Sequence, residues 1–596
     1  MIKEWVLNNF KSIDKETKLD FRPLTIFTGA NSSGKSTILQ SILLVTQTLQ
    51  SPISSRSVVL NGWFKKFGSY SDVVNKRDYL KNIHIGFSIQ NNGRASMGHY
   101  YPWDDGVKTI NCCFDLASNN KEDDLQPSLK QLDLVVNIDK EETLYINISK
   151  NDQKTKKEQK IIDENTIPVP EADFNYKINT NINSYRGGYY GLKRSSNYIG
   201  VGLTHFLPNY ALSYYEITER YKEYIKQVLS TKYIYNDLSA SEESELFSLL
   251  EDKTKEIIED IKLKNEVKNS NRFNKRFEEL KKKFSFENVR SLLEYTILSS
   301  DERVERFSKS YDEVFRNLPI KYNIERIPMY FFPGLEYLKS FFNQSIKYLG
   351  PLREEPKALY PLEGNDTLTD VGLKGENTAA VYENNKKLKI SYVDPSSFSS
   401  IENIRLEPKE GTLAEAINKW LVYLCVANEI DTNDRGKMGH ELKITIDSGL
   451  KQDLTHVGVG VSQILPILVM SFLAEKGNVI ILEQPELHLH PKVQTRLADF
   501  FVSMNALGKQ CIIETHSEYL INRLRYLVAQ SSDSRFEDNT MIYFVEKEDG
   551  HSNYRPVVMN KYGVIEDWPD GFFDESEKLA SSIFKAAMKK RQSDIS

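Results

Sequence analysis

The chain has 596 residues, of which 40% are hydrophobic and 27% are charged, and its net charge at pH 7 is −5. This length exceeds one ordinary hydrophobic core and predicts two to four domains, while the composition is typical of a globular protein and not of a disordered one. The small negative charge excludes a bulk electrostatic attraction to nucleic acid or to a membrane surface, so any such binding would need a local patch.

The cysteines and the apolar runs indicate the compartment. The four cysteines show no metal-ligand spacing, and two of them, Cys112 and Cys113, are adjacent. This usage is typical of reduced thiols in the cytosol. The first residues lack the pattern of a signal peptide, and the longest apolar run, residues 461–474, is too short to span a bilayer. We therefore expect a cytoplasmic protein without a membrane partner.

Residues 29–37, Gly-Ala-Asn-Ser-Ser-Gly-Lys-Ser-Thr, match the phosphate-binding pattern G-x-x-x-x-G-K-[ST]. The apolar residues 23–28 predict a buried strand before the loop, and residues 38–45 predict a helix after it, which is the context that the motif requires. Backbone N–H groups and the helix N-terminus would bind a polyphosphate, Lys35 would reach the β- and γ-phosphates, and the Ser36 hydroxyl would bind Mg²⁺. The alternative, a Gly/Ser turn with an unrelated lysine, leaves the flanking strand and helix unexplained.

Beyond the first helix, the sequence between residues 75 and 200 alternates between apolar and polar residues. The runs at residues 83–89, 132–138 and 143–149 predict strands, which we interpret as an antiparallel β layer over the nucleotide-binding core. The basic run at residues 154–160 is interpreted as a solvated hairpin tip in preference to a DNA contact.

The period of the apolar residues changes to 3.6 between residues 209 and 343, which predicts an inserted helical domain. Two roles stay open for it, a partner- or nucleic-acid-binding arm and a structural lid. An α/β pattern returns at residues 345–353, where a Gly-Pro turn presents Arg353. The predicted domains are an N-terminal ATPase lobe with the β layer, the insertion and a C-terminal ATPase lobe, at residues 1–208, 209–343 and 344–596.

The C-terminal lobe holds a second group of candidate site residues. Residues 458–463, Gly-Val-Gly-Val-Ser-Gln, open an apolar helix in an anion-binding type of turn, and Pro466 is predicted in its first turn. The run that starts at Asn478 has four apolar residues, 479–482, before Glu483. A strand of this form delivers a carboxylate that orders the Mg²⁺ shell, and a neighbouring residue positions the attacking water. Another strand leads to His516, which could hydrogen-bond a γ-phosphate.

Two histidines, His488 and His490, follow the acidic residues. Because residues two apart do not share a helix face, we do not predict a metal pair here.

The phosphate loop, the signature Gly-Val-Ser-Gln at 460–463, Glu-Gln-Pro-Glu at 483–486 and Glu-Thr-His-Ser at 514–517 together resemble the ABC-type ATPases. The chain more closely resembles the branch shared by SMC and RecF proteins, OLD-family ATPases and the ATPases of Septu and Gabija anti-phage systems, including retron-associated versions. Residues 348–353, 483–491 and 567–574 carry this closer resemblance. The resemblance implies an α/β fold with a P-loop core built from both chain ends.

The resemblance also implies a head-to-head homodimer, or a higher oligomer, with two composite sites for ATP and Mg²⁺. The family's Q-loop glutamine has two candidates, Gln47 and Gln50. The implied site residues are Gly29, Asn31, Ser33, Gly34, Lys35, Ser36 and Thr37 for the nucleotide, Ser36 and Glu483 for Mg²⁺, Glu483, Gln484, Glu486 and His516 for catalysis, and Gly460, Ser462 and Gln463 from the second copy.

One residue departs from the family pattern, because ABC-type ATPases have a glutamate where this chain has Gln484. A glutamine can orient a water molecule but cannot take its proton. General-base assistance is commonly worth about 10²–10⁴ in rate, so we expect slow hydrolysis unless Glu486 substitutes. ATP occupancy would then act as a switch that holds an assembly.

The leading functional hypothesis is a regulatory ATPase of a bacterial anti-phage defence complex. It would control a partner nuclease of HNH type, with or without a retron, and nucleic acid would be bound directly or through that partner. The acidic residues within 541–550 do not follow the order of a Toprim nuclease, so we expect no intrinsic nuclease. Two alternatives stay open, a RecF/SMC-like DNA-repair ATPase that binds DNA directly and a nucleotide-gated scaffold that does not hydrolyse ATP.

Overall fold

The protein is analysed as a computed structural model. It describes residues 1–91, 107–119, 121–138, 142–151, 154–164, 171–180, 197–218, 221, 245–246, 248–249, 318, 320–327, 331–357, 359–360, 369–399, 404, 406–436, 439–446, 449–456, 460–531, 535–566, 569 and 575–593.

Strands and helices are numbered in chain order over these residues. The strands are β1 Ile2–Asn8, β2 Thr17–Asp20, β3 Leu24–Gly29, β4 Ile83–Gln90, β5 Val107–Ala117, β6 Ser128–Ile138, β7 Glu142–Lys150, β8 Tyr176–Thr180, β9 Asn197–Thr204, β10 Leu207–Glu216, β11 Ile320–Arg326, β12 Ile346–Leu349, β13 Lys389–Val393, β14 Pro408–Thr412, β15 Glu429–Asp434, β16 His440–Thr445, β17 Lys451–Asp453, β18 Val479–Glu483, β19 Gln510–Glu514, β20 Thr540–Glu548 and β21 His551–Val557. The α-helices are α1 Lys35–Gln50, α2 Tyr70–Val73, α3 Lys156–Glu164, α4 Phe332–Ser340, α5 Thr378–Asn385, α6 Leu413–Leu424, α7 Gly460–Leu473, α8 Pro491–Ala506, α9 Glu518–Gln530, α10 Arg535–Asp538 and α11 Glu575–Ser593.

The central sheet is built from both ends of the chain. Its strand order is β12-β18-β19-β3-β20-β21, so the N-terminal strand β3 lies between two C-terminal strands. Neighbouring strands from β12 to β20 are parallel, and only the β20–β21 pair is antiparallel. Every residue of β18 and β19 is buried, as expected for parallel strands covered on both faces. The predicted α/β core from the two chain ends is confirmed.

A second sheet forms the predicted antiparallel layer, with the order β2-β1-β4-β5-β6-β7-β8. Burial alternates along β5, as in a sheet with one face on a core. The Trp5 indole N–H donates to Ser41 Oγ over 2.8 Å and joins this layer to α1. The antiparallel layer predicted for residues 75–200 is therefore confirmed in its described strands.

The basic run at residues 154–160 lies in the connection between the antiparallel neighbours β7 and β8, but this connection contains helix α3 where a simple hairpin tip was predicted. The reason is a reciprocal cap at the helix start. The Glu158 N–H donates to Thr155 Oγ1 over 3.2 Å, and the Thr155 N–H donates to Glu158 Oε2 over 2.7 Å. This Thr-x-x-Glu capping box favours a helix over a turn.

The predicted insertion, residues 209–343, falls largely outside the described residues, including residues 250–261 of its proposed apolar face. Its first described residues belong to β10, which pairs antiparallel with β11 near the other end. The helical pattern therefore does not begin at residue 209, where the chain is still a strand.

Pro466 does not lie in the first turn of its helix, as the sequence predicted. Helix α7 already begins at Gly460, which places Pro466 inside the helix. The sequence interpretation began the helix only after the signature residues, whereas Ser462 and Gln463 belong to it. In the described part of the chain, no helix is long and apolar enough to cross a membrane.

Candidate nucleotide-binding site

The phosphate loop lies between β3, which ends at Gly29, and α1, which begins at Lys35. The predicted strand–loop–helix order is confirmed. Lys35 is only 3% exposed, and its ammonium donates to the carbonyls of Gly29 and Ala30 over 3.1 and 2.6 Å. Burial lowers the pKa of Lys35, and the nearby carboxylates of Glu514 and Glu486 oppose this shift. The lysine thus lies within its own loop and close to two acidic groups.

Two glycines let this loop lie directly against the C-terminal hairpin β20–β21. Gly29 has φ 143° and Gly34 has φ 103°, both in the region that favours glycine. A Cβ atom would lie 2.1 Å from the Val545 carbonyl oxygen at position 29 and 2.0 Å from Ser552 Oγ at position 34. Any larger residue would push the loop away from the hairpin.

Side chains of β21 fix the loop from behind. Ser552 Oγ donates to the Ser33 carbonyl over 2.5 Å and lies 2.7 Å from Ser12 Oγ, whose hydroxyl can donate to it. The Tyr554 hydroxyl donates to the Gly34 carbonyl over 2.7 Å. Sequence reasoning missed these residues, although Asp549-Gly550 between two alternating runs is a hairpin signal.

Two carboxylates lie at the same edge of the sheet as the loop. Strand β18 ends at Glu483 and strand β19 ends at Glu514, and the two residues are register partners. The next N–H, that of Gln484, donates to the Glu514 carbonyl over 2.8 Å. The carboxyl ends of parallel strands meet at one edge of a sheet, where α/β proteins bind ligands. Glu514 was not among the predicted site residues.

Glu514 interacts with the two central residues of the phosphate motif. Burial raises the pKa of Glu514 to about 7, and the Glu483 charge acts in the same direction. A hydrogen bond from the Ser36 hydroxyl and the charge of Lys35 act in the opposite direction. Glu514 therefore lies beside the residues predicted to bind phosphate and Mg²⁺.

The other two carboxylates also have defined partners. The Tyr348 hydroxyl donates to Glu483 Oε1 over 3.0 Å, and burial raises the pKa of Glu483. Glu486 Oε1 accepts the His516 N–H over 2.5 Å, and burial raises the pKa of Glu486. Glu486 thus anchors the backbone that carries the predicted switch histidine.

His516 lies beside the phosphate loop, where it contacts the Gly29 backbone. Burial lowers the pKa of His516, with Lys35 acting in the same direction, while a hydrogen bond to the Gly29 backbone opposes the shift. The imidazole is therefore neutral at pH 7 and lies beside the loop. The remaining loop residues differ in exposure, since Ser33 and Thr37 are buried and Asn31 is exposed.

The signature residues lie in another part of the chain. Gly460 is the first residue of α7, followed by Ser462 and Gln463. Ser462 lines a small cleft of about 20 Å³ together with Lys374 and Pro466.

The two Q-loop candidates make hydrogen bonds to segments other than the phosphate loop. Gln47 donates to the Val59 carbonyl over 2.6 Å and accepts from the Lys65 N–H over 3.1 Å. Gln50 donates to the Phe342 carbonyl over 3.1 Å. Both glutamines tie α1 to neighbouring segments.

The oxygen atoms beside Lys35 fit the chemistry of Mg²⁺. In nucleotide sites this ion is held by one or two carboxylates together with substrate phosphates. The Ser36 hydroxyl interacts with Glu514, and Glu483 is the register partner of Glu514, so these three residues supply a matching donor set. Among the described residues, no three His, Cys, Asp or Glu side chains form a metal site by themselves, and the exposed His488 and His490 belong to no such group.

Comparisons with known proteins were made for sequence and for structure. No curated protein matches the chain at a significant level. The SMC head domain of Pyrococcus furiosus, with an extended coiled coil and bound to the C-terminal domain of ScpA, is 12% identical over 98% of this chain and 99% of that chain, with a TM-score of 0.34. The SMC head domain of Thermotoga maritima is 9% identical over 93% and 98%, with a TM-score of 0.30.

Two family models match the sequence. Residues 537–582 match a family described as a protein of unknown function, DUF3696. Residues 1–328 and 335–521 match the AAA ATPase domain, AAA_15, which thus covers most of the chain. The chain belongs to this family of AAA-type ATPases.

Proposed function

We propose that this ATPase is the regulatory subunit of a bacterial anti-phage defence complex, in which ATP binding joins two copies and controls a separate nuclease. The nuclease would be of HNH type, with or without a retron. The observation that carries the nucleotide-dependent part is the convergence of Lys35, Glu514 and His516 at the carboxyl edge of the central sheet. The defence role is supported by the resemblance of residues 348–353 and 483–491 to anti-phage ATPases.

Different residues of the site would bind the phosphates and the Mg²⁺ ion of the nucleotide. Lys35 and the loop N–H groups would bind the β- and γ-phosphates, and the neutral His516 would donate a hydrogen bond to the γ-phosphate. Ser36 and Glu483 would hold Mg²⁺, with Glu514 beside them. When bound, the ion neutralises charge that develops on the phosphates.

Slow hydrolysis is supported by the partners of the acidic residues. Gln484 cannot accept a proton, and Glu486 Oε1 already accepts the His516 N–H. Position 484 therefore supplies no general base, and Glu486 could act as one only through its other carboxylate oxygen, Oε2. We propose that the ATP-bound state is long-lived and acts as a switch, with hydrolysis as the slow reset.

The signature residues support a composite site. Ser462 lies on helix α7 and lines a cleft together with Lys374. Helix α7 does not follow β3, the strand that precedes the phosphate loop. A second copy in head-to-head arrangement would bring Gly460, Ser462 and Gln463 to the γ-phosphate, as the resemblance implies. ATP would then join the two copies because each nucleotide contacts both.

The mass of the purified chain with and without ATP and Mg²⁺ tests this switch. We expect a monomer-to-dimer shift with ATP and none with ADP, together with slow phosphate release. The Ser462→Arg variant should bind ATP and stay monomeric. A chain that binds ATP without any change of mass, or a Ser462→Arg variant that still dimerises, would contradict the composite site.

The defence role needs its own experiment, which is purification of the tagged chain from cells that express its native operon. We expect a nuclease to copurify, with nucleic acid bound directly or through it. Recovery of the chain alone, with a salt-sensitive affinity for duplex DNA, would favour the DNA-repair alternative instead.

A further inference from the structure

Arg353 lies at the same edge of the sheet as the ATPase site. Strand β12 pairs in parallel with β18, with Leu349 opposite Leu482, so the chain that leaves β12 emerges beside Glu483. Four residues later, the Arg353 side chain is turned into the protein, since only 8% of Arg353 is exposed while Leu352 is 67% exposed. The arginine is therefore part of the interior at this edge.

The guanidinium of Arg353 is unusual among buried charges. None of its three nitrogens has a hydrogen-bond partner within the described part of the chain. Arg523 shows the ordinary arrangement, because its Nε donates to the buried Asp499 carboxylate over 2.8 Å. Burial lowers the pKa of Arg353 to about 10, so the group is still charged at pH 7. A buried charge without hydrogen bonds lowers the free energy of unfolding, so its presence here points to a role other than stability.

The titratable neighbours of Arg353 are two carboxylates of the nucleotide site and the tyrosine bonded to one of them. Glu483, Glu486 and Tyr348 all interact electrostatically with its guanidinium. Lys35 of the phosphate loop also interacts with Glu486. Arg353 and Lys35 thus share one carboxylate neighbour at this edge of the sheet.

The backbone around Arg353 is held in place on both sides. The Gly350 N–H donates to the Leu373 carbonyl over 2.9 Å, and the Glu354 N–H donates to the Lys374 carbonyl over 2.8 Å. These two bonds fix the segment against the loop at residues 371–376. The backbone that carries Arg353 is therefore fixed before any ligand arrives.

We propose that Arg353 binds the terminal phosphate of the nucleotide, together with Lys35. This inference rests on the proposed function and adds a second cation to the site. A guanidinium offers a planar fork of N–H donors that matches two phosphate oxygens, which an ammonium cannot do. Because ADP lacks the terminal phosphate, Arg353 would set the preference for triphosphate over diphosphate.

The test compares the Kd of ATP and of ADP, both with Mg²⁺, by calorimetry for the wild type and the Arg353→Met variant. We expect ATP binding to weaken about 10- to 100-fold, the usual value of charge-assisted hydrogen bonds, and ADP binding to change less than about threefold. Arg353→Lys, which keeps the charge and loses the fork, should give an intermediate loss. Leu352→Ala is the matched control on the adjacent, outward-facing residue and should change neither Kd.

The outcomes separate this inference from the proposed function. A wild type that binds no ATP would overturn both. A wild type that binds ATP, with an Arg353→Met variant whose ATP-to-ADP affinity ratio is unchanged, would overturn only the role of Arg353. An equal loss of ATP and ADP affinity would show that Arg353 merely supports the fold. The thermal unfolding temperatures of the Arg353 variants, compared with that of Arg523→Met, check for this loss of stability.

Discussion

Glu483 and Glu514 are register partners at the ends of two adjacent parallel strands, and both side chains are buried. Two carboxylates at this spacing repel each other, and the Glu483 charge contributes to the raised pKa of Glu514. The cations that offset this repulsion include Lys35, from the other end of the sequence. The attraction between Lys35 of the phosphate loop and Glu514 therefore links the N-terminal and C-terminal parts of the site.

Replacing Glu514 by glutamine tests whether this residue supports the nucleotide site. Glu514→Gln keeps the size of the side chain and removes its charge. Because Glu514 contacts Ser36, the predicted Mg²⁺ ligand, we expect Mg²⁺-dependent ATP affinity or turnover to fall about 10- to 100-fold. Steady-state phosphate release and calorimetry measure the two effects. Glu548→Gln, on the exposed end of β20, is the control and should match the wild type. If Glu514→Gln has the same ATP affinity and turnover as this control, Glu514 does not support the nucleotide site.

The same residue predicts how stability depends on pH. The pKa of Glu514 is about 7 in the folded chain and 4.5 for an ordinary glutamate, so the folded state holds more protons between these values. The contribution of Glu514 to stability is then largest below pH 4.5 and is lost as the pH rises through 7, by at most roughly 3 kcal/mol. Without nucleotide, Glu514→Gln should exceed the wild type in urea stability at pH 8, and the difference should shrink at pH 5. A difference that is the same at both pH values would contradict this.

Gln484→Glu tests the cause of slow hydrolysis. If turnover is slow because position 484 cannot accept a proton, the glutamate should raise the rate of phosphate release by about 10²-fold or more. The ATP-dependent dimer should also become shorter-lived. A fast wild type whose rate is unchanged by this substitution would refute the switch hypothesis.

The hairpin β20–β21 is expected to hold the phosphate loop in shape. Tyr554→Phe removes the hydrogen bond to the Gly34 carbonyl, and Ser552→Ala removes those to Ser33 and Ser12. Each lost bond should lower the free energy of unfolding by about 1 kcal/mol and weaken ATP binding. Denaturant unfolding and calorimetry check both effects, with the exposed Tyr562→Phe as the control. Variants that bind ATP like the wild type would show that the loop keeps its shape unaided.

The phosphate loop and the strand before Glu483 could be predicted because each has a local signal. A glycine-lysine motif between an apolar run and a helix, or a carboxylate after four apolar residues, is visible without any tertiary contact. Glu514 was not predicted, although its strand also ends in an acid, because an acid at a strand end does not show which strand lies beside it. Only the neighbouring positions of β18 and β19 reveal that the two acids meet.

Other residues depended on contacts that no local pattern contains. Arg353 was predicted to be presented by a Gly-Pro turn, but its burial beside Glu483 follows from the pairing of β12 with β18. Gln47 resembled a Q-loop residue until its bonds to Val59 and Lys65 were seen. By contrast, the capping box that turns residues 154–160 into a helix start was readable from the sequence and was passed over.

The most direct test of the central claim, that both ends of the chain build one ATP site, is calorimetric titration of ATP with Mg²⁺ into three proteins. The wild type should bind ATP, Lys35→Ala at the N-terminal end should lose binding, and Glu483→Gln at the C-terminal end should lose most of the Mg²⁺ dependence of binding. Glu336→Gln, an exposed residue paired with Lys339, should match the wild type. A wild type that binds no ATP, or a Glu483→Gln variant with unchanged Mg²⁺-dependent affinity, would contradict the claim.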